Sequence, residues 1–258
     1  MVDEAEKIEG VARSFSPRAL LRPLLDLVYP PCCAACGVRT AGHNALCGAC
    51  WSRMRFIERP YCDILGLPFA HDPGEGMVSA LAIAEPPIFD RLRAVALHEG
   101  PARNLVHGLK YRDRTDLAPM MAAWMARAGG EHLALCDAII PVPLHWTRLL
   151  KRRFNQSAEL GRHLARLSGR PFLTRALTRR KRTGRQVGLT AKGREENVRA
   201  AFRVPKGEEH QVFGKRLVLV DDVFTTGATV SSATRALKRA GAAEVTVLTF
   251  AMALAEPI

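Results

Sequence analysis

The sequence predicts an α/β protein: a parallel sheet flanked by helices, preceded by a small metal-held module. Three observations carry this. From about Phe89 onward, short apolar runs rich in β-branched residues alternate with helical patterns, as strands joined through helical crossovers do. Six of the seven cysteines fall between Cys32 and Cys62. The stretch "RLVLVDDVFTTGATVSSA", residues 216–233, runs from an apolar strand through two adjacent carboxylates into a polar loop and a helix.

Length and composition bound the reading. A chain of 258 residues suits one large domain, or one domain with a small appendage. Hydrophobic content of 48% is too high for disorder. No apolar run approaches the roughly 20 residues of a membrane helix, and the acidic start "MVDEAEKIEG" lacks the basic region of a secretory signal. These features predict a cytoplasmic protein without membrane insertion. The net charge of +13 is concentrated: residues 148–199 hold 16 Lys/Arg against three Glu, leaving 22 basic and 22 acidic residues elsewhere. Such a field attracts a phosphorylated substrate, nucleic acid, or both; the plainer alternative is a solvated face.

Three segments follow in order: 1–31, 32–88 and 89–258. The first reads as a tail followed by an amphipathic helix over "SPRALLRPLLDLVYP", stopped by Pro30-Pro31. The second combines the cysteines with a connection rich in Gly and Pro over 63–88. In the third, "LRAVALHEG", "CDAIIPVP", "VFGKRLVLVDD" and "AEVTVLTFAMA" read as strands. "PARNLVHGLKY", "TDLAPMMAAWMARAGG", "RRFNQSAELGRHLARLSGR" and "TVSSATRALKRAG" read as helices, the last three closing at Gly129-Gly130, Ser168-Gly169 and Gly241.

Cys33-x2-Cys36 and Cys47-x2-Cys50 form two knuckles ten residues apart. Four thiolates of this kind hold a structural Zn²⁺ in a closed tetrahedron, which assigns the metal to folding rather than catalysis. A redox dithiol pair and adventitious buried cysteines are the alternatives. Cys32 rivals Cys33 with poorer spacing to Cys36, and Cys62 stands alone as a small buried hydrophobe.

In the acidic stretch, Thr225, Thr226, Gly227, Ala228 and Thr229 open a helix, where unpaired N–H groups and the helix dipole favour a phosphate. Neither a Walker loop nor a GxGxxG fingerprint is present. Asp221 and Asp222, at the carboxyl end of a parallel strand, can accept from vicinal sugar hydroxyls or hold Mg²⁺ bridged to a diphosphate. An N-cap Asp with a solvent-facing neighbour would explain one carboxylate, not the pair with its threonine loop.

"VLVDDVFTTGAT" resembles the 5-phosphoribosyl-1-pyrophosphate (PRPP) motif of type I phosphoribosyltransferases. With the zinc ribbon, and with "PVPLHWTRLLKRRFNQSAELGRHLA" and "TGRQVGLTAKGREENVRAAF", the chain is identified as similar to the ComF (competence protein F-like) family from about residue 32 to 250. That resemblance implies a type I phosphoribosyltransferase-like sheet, PRPP as ligand with Mg²⁺, and a role in DNA uptake. It implies that Asp221 and Asp222 contact the ribose while Thr225–Thr229 hold the 5′-phosphate. Pro141, Val142 and Pro143 would grip pyrophosphate, followed by Arg152, Arg153, Asn155 and Gln156 for anions. Gln186, Leu189, Arg194 and Asn197 would belong to a hood loop. Some members carry a second pair of CxxC knuckles; here Leu65, Ser79 and Ala82 stand where cysteines are expected, so one zinc is expected.

The reaction so implied is phosphoribosyl transfer to an acceptor the sequence does not name, with His145 or His163 as guesses for a base. The rival is a PRPP- or nucleic-acid-binding module without turnover, with single-stranded DNA and other competence proteins as partners. Against a stacking surface, 148–199 contains only Phe154 and Phe172 as aromatics.

Overall fold

The computed structural model describes residues 29–74, 76–144, 154–180 and 201–254. Two one-turn helices belong to the N-terminal module, α1 (Gly48–Ser52) and α2 (Ala80–Ala84). Then follow β1 (Arg91–Leu97), α3 (Gly100–Tyr111), α4 (Ala118–Ala128), α5 (Gly130–Leu135), β2 (Ala138–Pro141) and α6 (Gln156–Ser168). A small antiparallel pair, β3 (Thr178–Arg179) and β4 (Phe202–Arg203), precedes β5 (Arg216–Phe224), α7 (Ala228–Arg239) and β6 (Glu244–Met252).

β1, β6, β5 and β2 lie side by side in that order, every pairing parallel. The central strands are apolar on both faces because helices cover both. Leu217 and Leu219 join Val230, Ala233 and Leu237 of α7 in one core cluster. Val218 and Val220 join Leu105, Met121, Met125, Leu160 and Leu164 from α3, α4 and α6 in the other. The glycines read as helix stops behave so at Gly169 and Gly241, with φ of +68° and +88°. Gly129 instead passes the chain straight into α5.

The acidic pair does not mark the end of its strand. β5 continues to Phe224, with Asp221 opposite Thr249 and Val223 opposite Ala251 of β6. The carboxylates therefore project from a fixed strand backbone.

Residues 63–88, read as a connection, hold a structure of their own. Around Cys33 the N–H of Cys33 bonds Val38 O at 2.7 Å and the N–H of Gly37 bonds Cys33 O at 2.9 Å. Around Cys62 the same bonds recur from Cys62 to Leu67 O at 2.8 Å and from Gly66 to Cys62 O at 2.7 Å. Cys47 caps α1 and its N–H bonds Cys33 Sγ; Ser79 caps α2 and its N–H bonds Cys62 Sγ. Cys33, Cys36, Cys47 and Cys50 are thus matched by Cys62, Leu65, Ser79 and Ala82. Of the second set, Cys62, Leu65 and Ala82 lie buried in the cluster that contains α7.

The module is bonded to the sheet. The N–H of Ile57 bonds Val95 O, the N–H of Leu97 bonds Arg55 O, and the N–H of Leu92 bonds Ile64 O, at 2.9, 2.9 and 2.7 Å. The outer edge of β1 is covered in this way.

Candidate active site and metal centre

The four sulfurs of Cys33, Cys36, Cys47 and Cys50 lie within 4.8 Å of one another, and Cys36 Sγ is 3.7 Å from Cys47 Sγ. A tetrahedron with metal–sulfur bonds of about 2.3 Å has edges of about 3.8 Å, so the set fits Zn²⁺. Its electrostatics ask for a cation. Burial raises the Cys33 thiol, but donors led by the Cys47 N–H outweigh it and pull the group down to about 6. Burial and the neighbouring sulfurs push Cys50 up instead. Four crowded thiols cannot all ionise without a central positive charge. Cys32 stands apart, its thiol donating to Pro30 O, so Cys33 is the member of the set.

At the carboxyl edge of the sheet a cleft of about 350 Å³ is lined by Asp221, Asp222, Thr225 and Thr229, by Gln156 and Ser157, and by His98, His107, Lys110 and Tyr111. Lys110 of α3 places Nζ 2.8 Å from Asp222 Oδ1. Ser157 of α6 donates its hydroxyl to Asp221 Oδ1 at 2.8 Å. Burial, then the charge of Asp222, push the Asp221 carboxyl up to about 7. The two acids therefore differ: one is held beside a lysine, and the other shares its proton with bulk water near neutrality.

The loop after β5 bends at Gly227, whose φ of +72° lets it cap α7. The φ suits glycine, and a Cβ there would also meet the Phe224 ring at 2.9 Å and have to displace it. The cap makes no side-chain hydrogen bond, which leaves the first N–H groups of α7 for a ligand. Asp221 and residues 223–230 line a small hollow at this helix mouth.

On the opposite side, Val142 follows β2 with its N–H bonded to Val220 O, and its own carbonyl accepts from Asn155 Nδ2 at 3.0 Å. Asn155 Oδ1 accepts the N–H of Ser157 and caps α6. Both ends of this amide are occupied, so Asn155 acts on the site by fixing Ser157 rather than by meeting an anion. Gln156 is 1% exposed, lines the cleft, and its amide nitrogen has no hydrogen-bond partner among the described residues.

The structure thus gathers Asp221, Asp222, Thr225, Thr229, Val142 and Gln156 around one cleft, while Thr226, Gly227 and Ala228 line the small hollow at the mouth of α7 that shares Asp221, Thr225 and Thr229 with it. Arg152, Arg153, Gln186, Arg194, Asn197 and His145 lie outside the described residues. His163 stands 3.4 Å from Glu159 on α6 and does not line the cleft. Sequence reasoning missed Lys110, Ser157, His98 and His107. Lys110 precedes the acids by more than a hundred positions, and nothing local to it signals the pairing.

Residues 24–81 match the family described as Double zinc ribbon domain, and residues 169–257 match Phosphoribosyl transferase domain. The DNA utilization protein YhgH of Shigella flexneri is 35% identical over 229 residues, covering 86% of this chain and 96% of that protein. Competence protein F of Haemophilus influenzae is 31% identical over 213 residues, covering 79% of this chain and 89% of that protein. The chain belongs to the competence protein F (ComF) family. This ComF protein also resembles the solved structure of the allosteric regulatory enzyme of purine biosynthesis, at 24% identity and a TM-score of 0.37. That likeness covers 56% of the ComF chain and 30% of the enzyme's. Within the described residues of the ComF ribbon region, the double-ribbon shape is complete while one four-cysteine set remains.

Proposed function

We propose that the chain binds PRPP with Mg²⁺ and transfers its phosphoribosyl group to an acceptor. One observation carries this reading: a paired carboxylate on the central strand shares a cleft with a helix-mouth loop, as a ribose 5-phosphate group requires. Asp221 and Asp222 would accept from the ribose hydroxyls. The N–H groups and hydroxyls of Thr225–Thr229 would hold the 5′-phosphate. Pro141, Val142 and Pro143 at the end of β2, of which Val142 lines the cleft, and the amide of Gln156 would hold pyrophosphate, and holding both ends would align the anomeric carbon for attack. The carboxylate oxygens are hard ligands of the kind Mg²⁺ accepts beside substrate phosphates. When bound, the ion would supply countercharge to the leaving pyrophosphate. The relatives' names, DNA utilization and competence, supply the biological setting we carry over to this chain.

Calorimetric titration of PRPP with Mg²⁺ tests the reading. Wild type is expected to bind, and Asp221→Asn/Asp222→Asn to lose at least about tenfold in affinity, the cost of charge-assisted hydrogen bonds. Absence of binding by wild type would refute it. Pyrophosphate release in the presence of a panel of acceptors separates transfer from binding alone.

A further inference from the structure

A second concavity, of about 320 Å³, lies between the ribbon and the start of α3. Arg53 at the end of α1, Arg103, Asn104 and His107 of α3, and two zinc-ligand candidates, Cys36 and Cys50, line it. No Asp or Glu does. Where acids are at hand on this surface, arginines pair with them, as Arg55 does with Glu99, Arg127 with Glu58 and Arg162 with Glu159. Arg53 and Arg103, both exposed and without an ion pair among the described residues, border this hollow together. Guanidiniums offer an entering anion charge-assisted, bidentate hydrogen bonds.

The hollow is not isolated. His107 lines it on one side and the acidic cleft on the other. One turn along α3, Tyr111 meets the His107 ring edge-on at 5.3 Å between centroids and is 65% exposed. Lys110, on the same turn, holds Asp222. Travelling along α3 from the cleft, a ligand therefore meets the acidic pair, then aromatic faces, then two arginines on the ribbon side. The donor's own 5′-phosphate already has a place at the mouth of α7, across the cleft.

We infer that this groove is the phosphate subsite for the acceptor of the transfer, so that the acceptor is an aromatic base bearing a phosphate, a nucleotide rather than a free base. The inference rests on the PRPP reading above. In the step so defined, a ring nitrogen of the nucleotide bonds the anomeric carbon while the carbon–oxygen bond to pyrophosphate breaks. That bond's electron pair leaves with pyrophosphate, and a proton lost from the base goes to solvent. The ribbon then serves the site directly, since it supplies Arg53 and one wall of the groove.

The test titrates a nucleoside 5′-monophosphate (AMP, GMP, CMP or UMP), the matching nucleoside, pyrophosphate, and PRPP with Mg²⁺ into wild type, Arg53→Ala and Arg103→Ala. At least one monophosphate should bind wild type more tightly than its nucleoside. That preference should fall about tenfold in each variant, as loss of a guanidinium–phosphate contact implies. PRPP affinity should stay within about twofold. Equal monophosphate affinity in the variants and wild type, or no monophosphate binding to wild type, overturns the inference. So does a variant defect seen with pyrophosphate instead, which would make the groove a leaving-group site. Failure of wild type to bind PRPP, with arginine-dependent monophosphate binding intact, would sink the transfer reaction and with it the acceptor role, while leaving an anion site. Unchanged zinc content in both variants excludes collapse of the ribbon as the cause.

Discussion

At the scale of single residues, the acidic pair joins function to a cost in stability. Asp221 is pushed up to about 7 by burial and by Asp222, so the folded protein binds that proton more tightly than the unfolded chain does. The stability it contributes is present in full below the unfolded value near 4 and is lost as pH rises through about 7. Asp221→Asn should therefore raise the melting temperature relative to wild type at pH 8, by the equivalent of on the order of 1–2 kcal/mol. The gain should shrink towards pH 5. His98 and His132, both held below the ordinary histidine value by burial, weaken the fold at the acid end instead, so the difference between variant and wild type is the quantity to follow. An equal shift at both pH values would show that Asp221 titrates as an ordinary carboxyl. The same variant should bind PRPP more weakly, because an amide is a poorer acceptor for sugar hydroxyls than a carboxylate. The pair itself was legible in the sequence, since two like charges ending an apolar run have few structural uses. Its supports were not. Lys110 and Ser157 reach the acids from α3 and α6, and such long-range neighbours are set by packing rather than by local pattern.

At the scale of elements, the two ribbons show how one backbone shape is held in two ways. The first knuckle pair is closed by four sulfurs. The second has cysteine at one of the four matching positions, and it is held by its place in the core: Leu65 is 8% exposed, Ala82 2% and Cys62 0%. A buried guanidinium adds to this. Arg93, 4% exposed, sits 3.8 Å from the centroid of Tyr61, donates to Cys62 O and pairs with Asp63 at 3.6 Å. Burial and a cation–π contact thus take over the role of the metal. The expected zinc content is one per chain. Cys36→Ser should lower it and Cys62→Ser should leave it unchanged, as read by metal analysis of reduced protein. Zinc lost from Cys62→Ser would place Cys62 in the metal site. This repeat explains why 63–88 reads in sequence as a connection: with Leu65, Ser79 and Ala82 where the first pair has cysteines, the spacing carries no metal signature, and Gly66, with its positive φ, is the one local sign of the turn. The intact CxxC pairs, and the strands and helices after Phe89, were legible because each states its period or its ligand set locally.

At the scale of the whole molecule, the ribbon and the sheet share one hydrogen-bonded edge, and the two knuckles hold different parts of it. Arg55 and Ile57, directly after the metal-held turn, bond Leu97 and Val95, whereas Ile64 in the metal-free knuckle bonds Leu92. Trp51 of α1 packs against Phe56 and Trp124, with centroids 5.1 and 5.9 Å away, and so links the metal-held turn to α4. Removing zinc should therefore loosen one end of the β1 edge without unfolding the sheet, because the second knuckle is anchored by burial and by its contacts with Arg93 and Leu92 rather than by metal. In hydrogen exchange after chelation, the amides of Ile57 and Leu97 should exchange faster while that of Leu92 remains slow, and tryptophan emission should shift to the red. If all three amides accelerate together, the ribbon and sheet form a single cooperative unit, and the metal stabilises the fold as a whole. The local outcome has a consequence for chemistry. Arg53 sits on the metal-held side, so chelation would disturb the acceptor groove and leave the Asp221–Asp222 cleft standing. Nucleotide affinity should then fall with zinc loss while PRPP affinity persists, and a parallel loss of both would tie the two sites to one structural element.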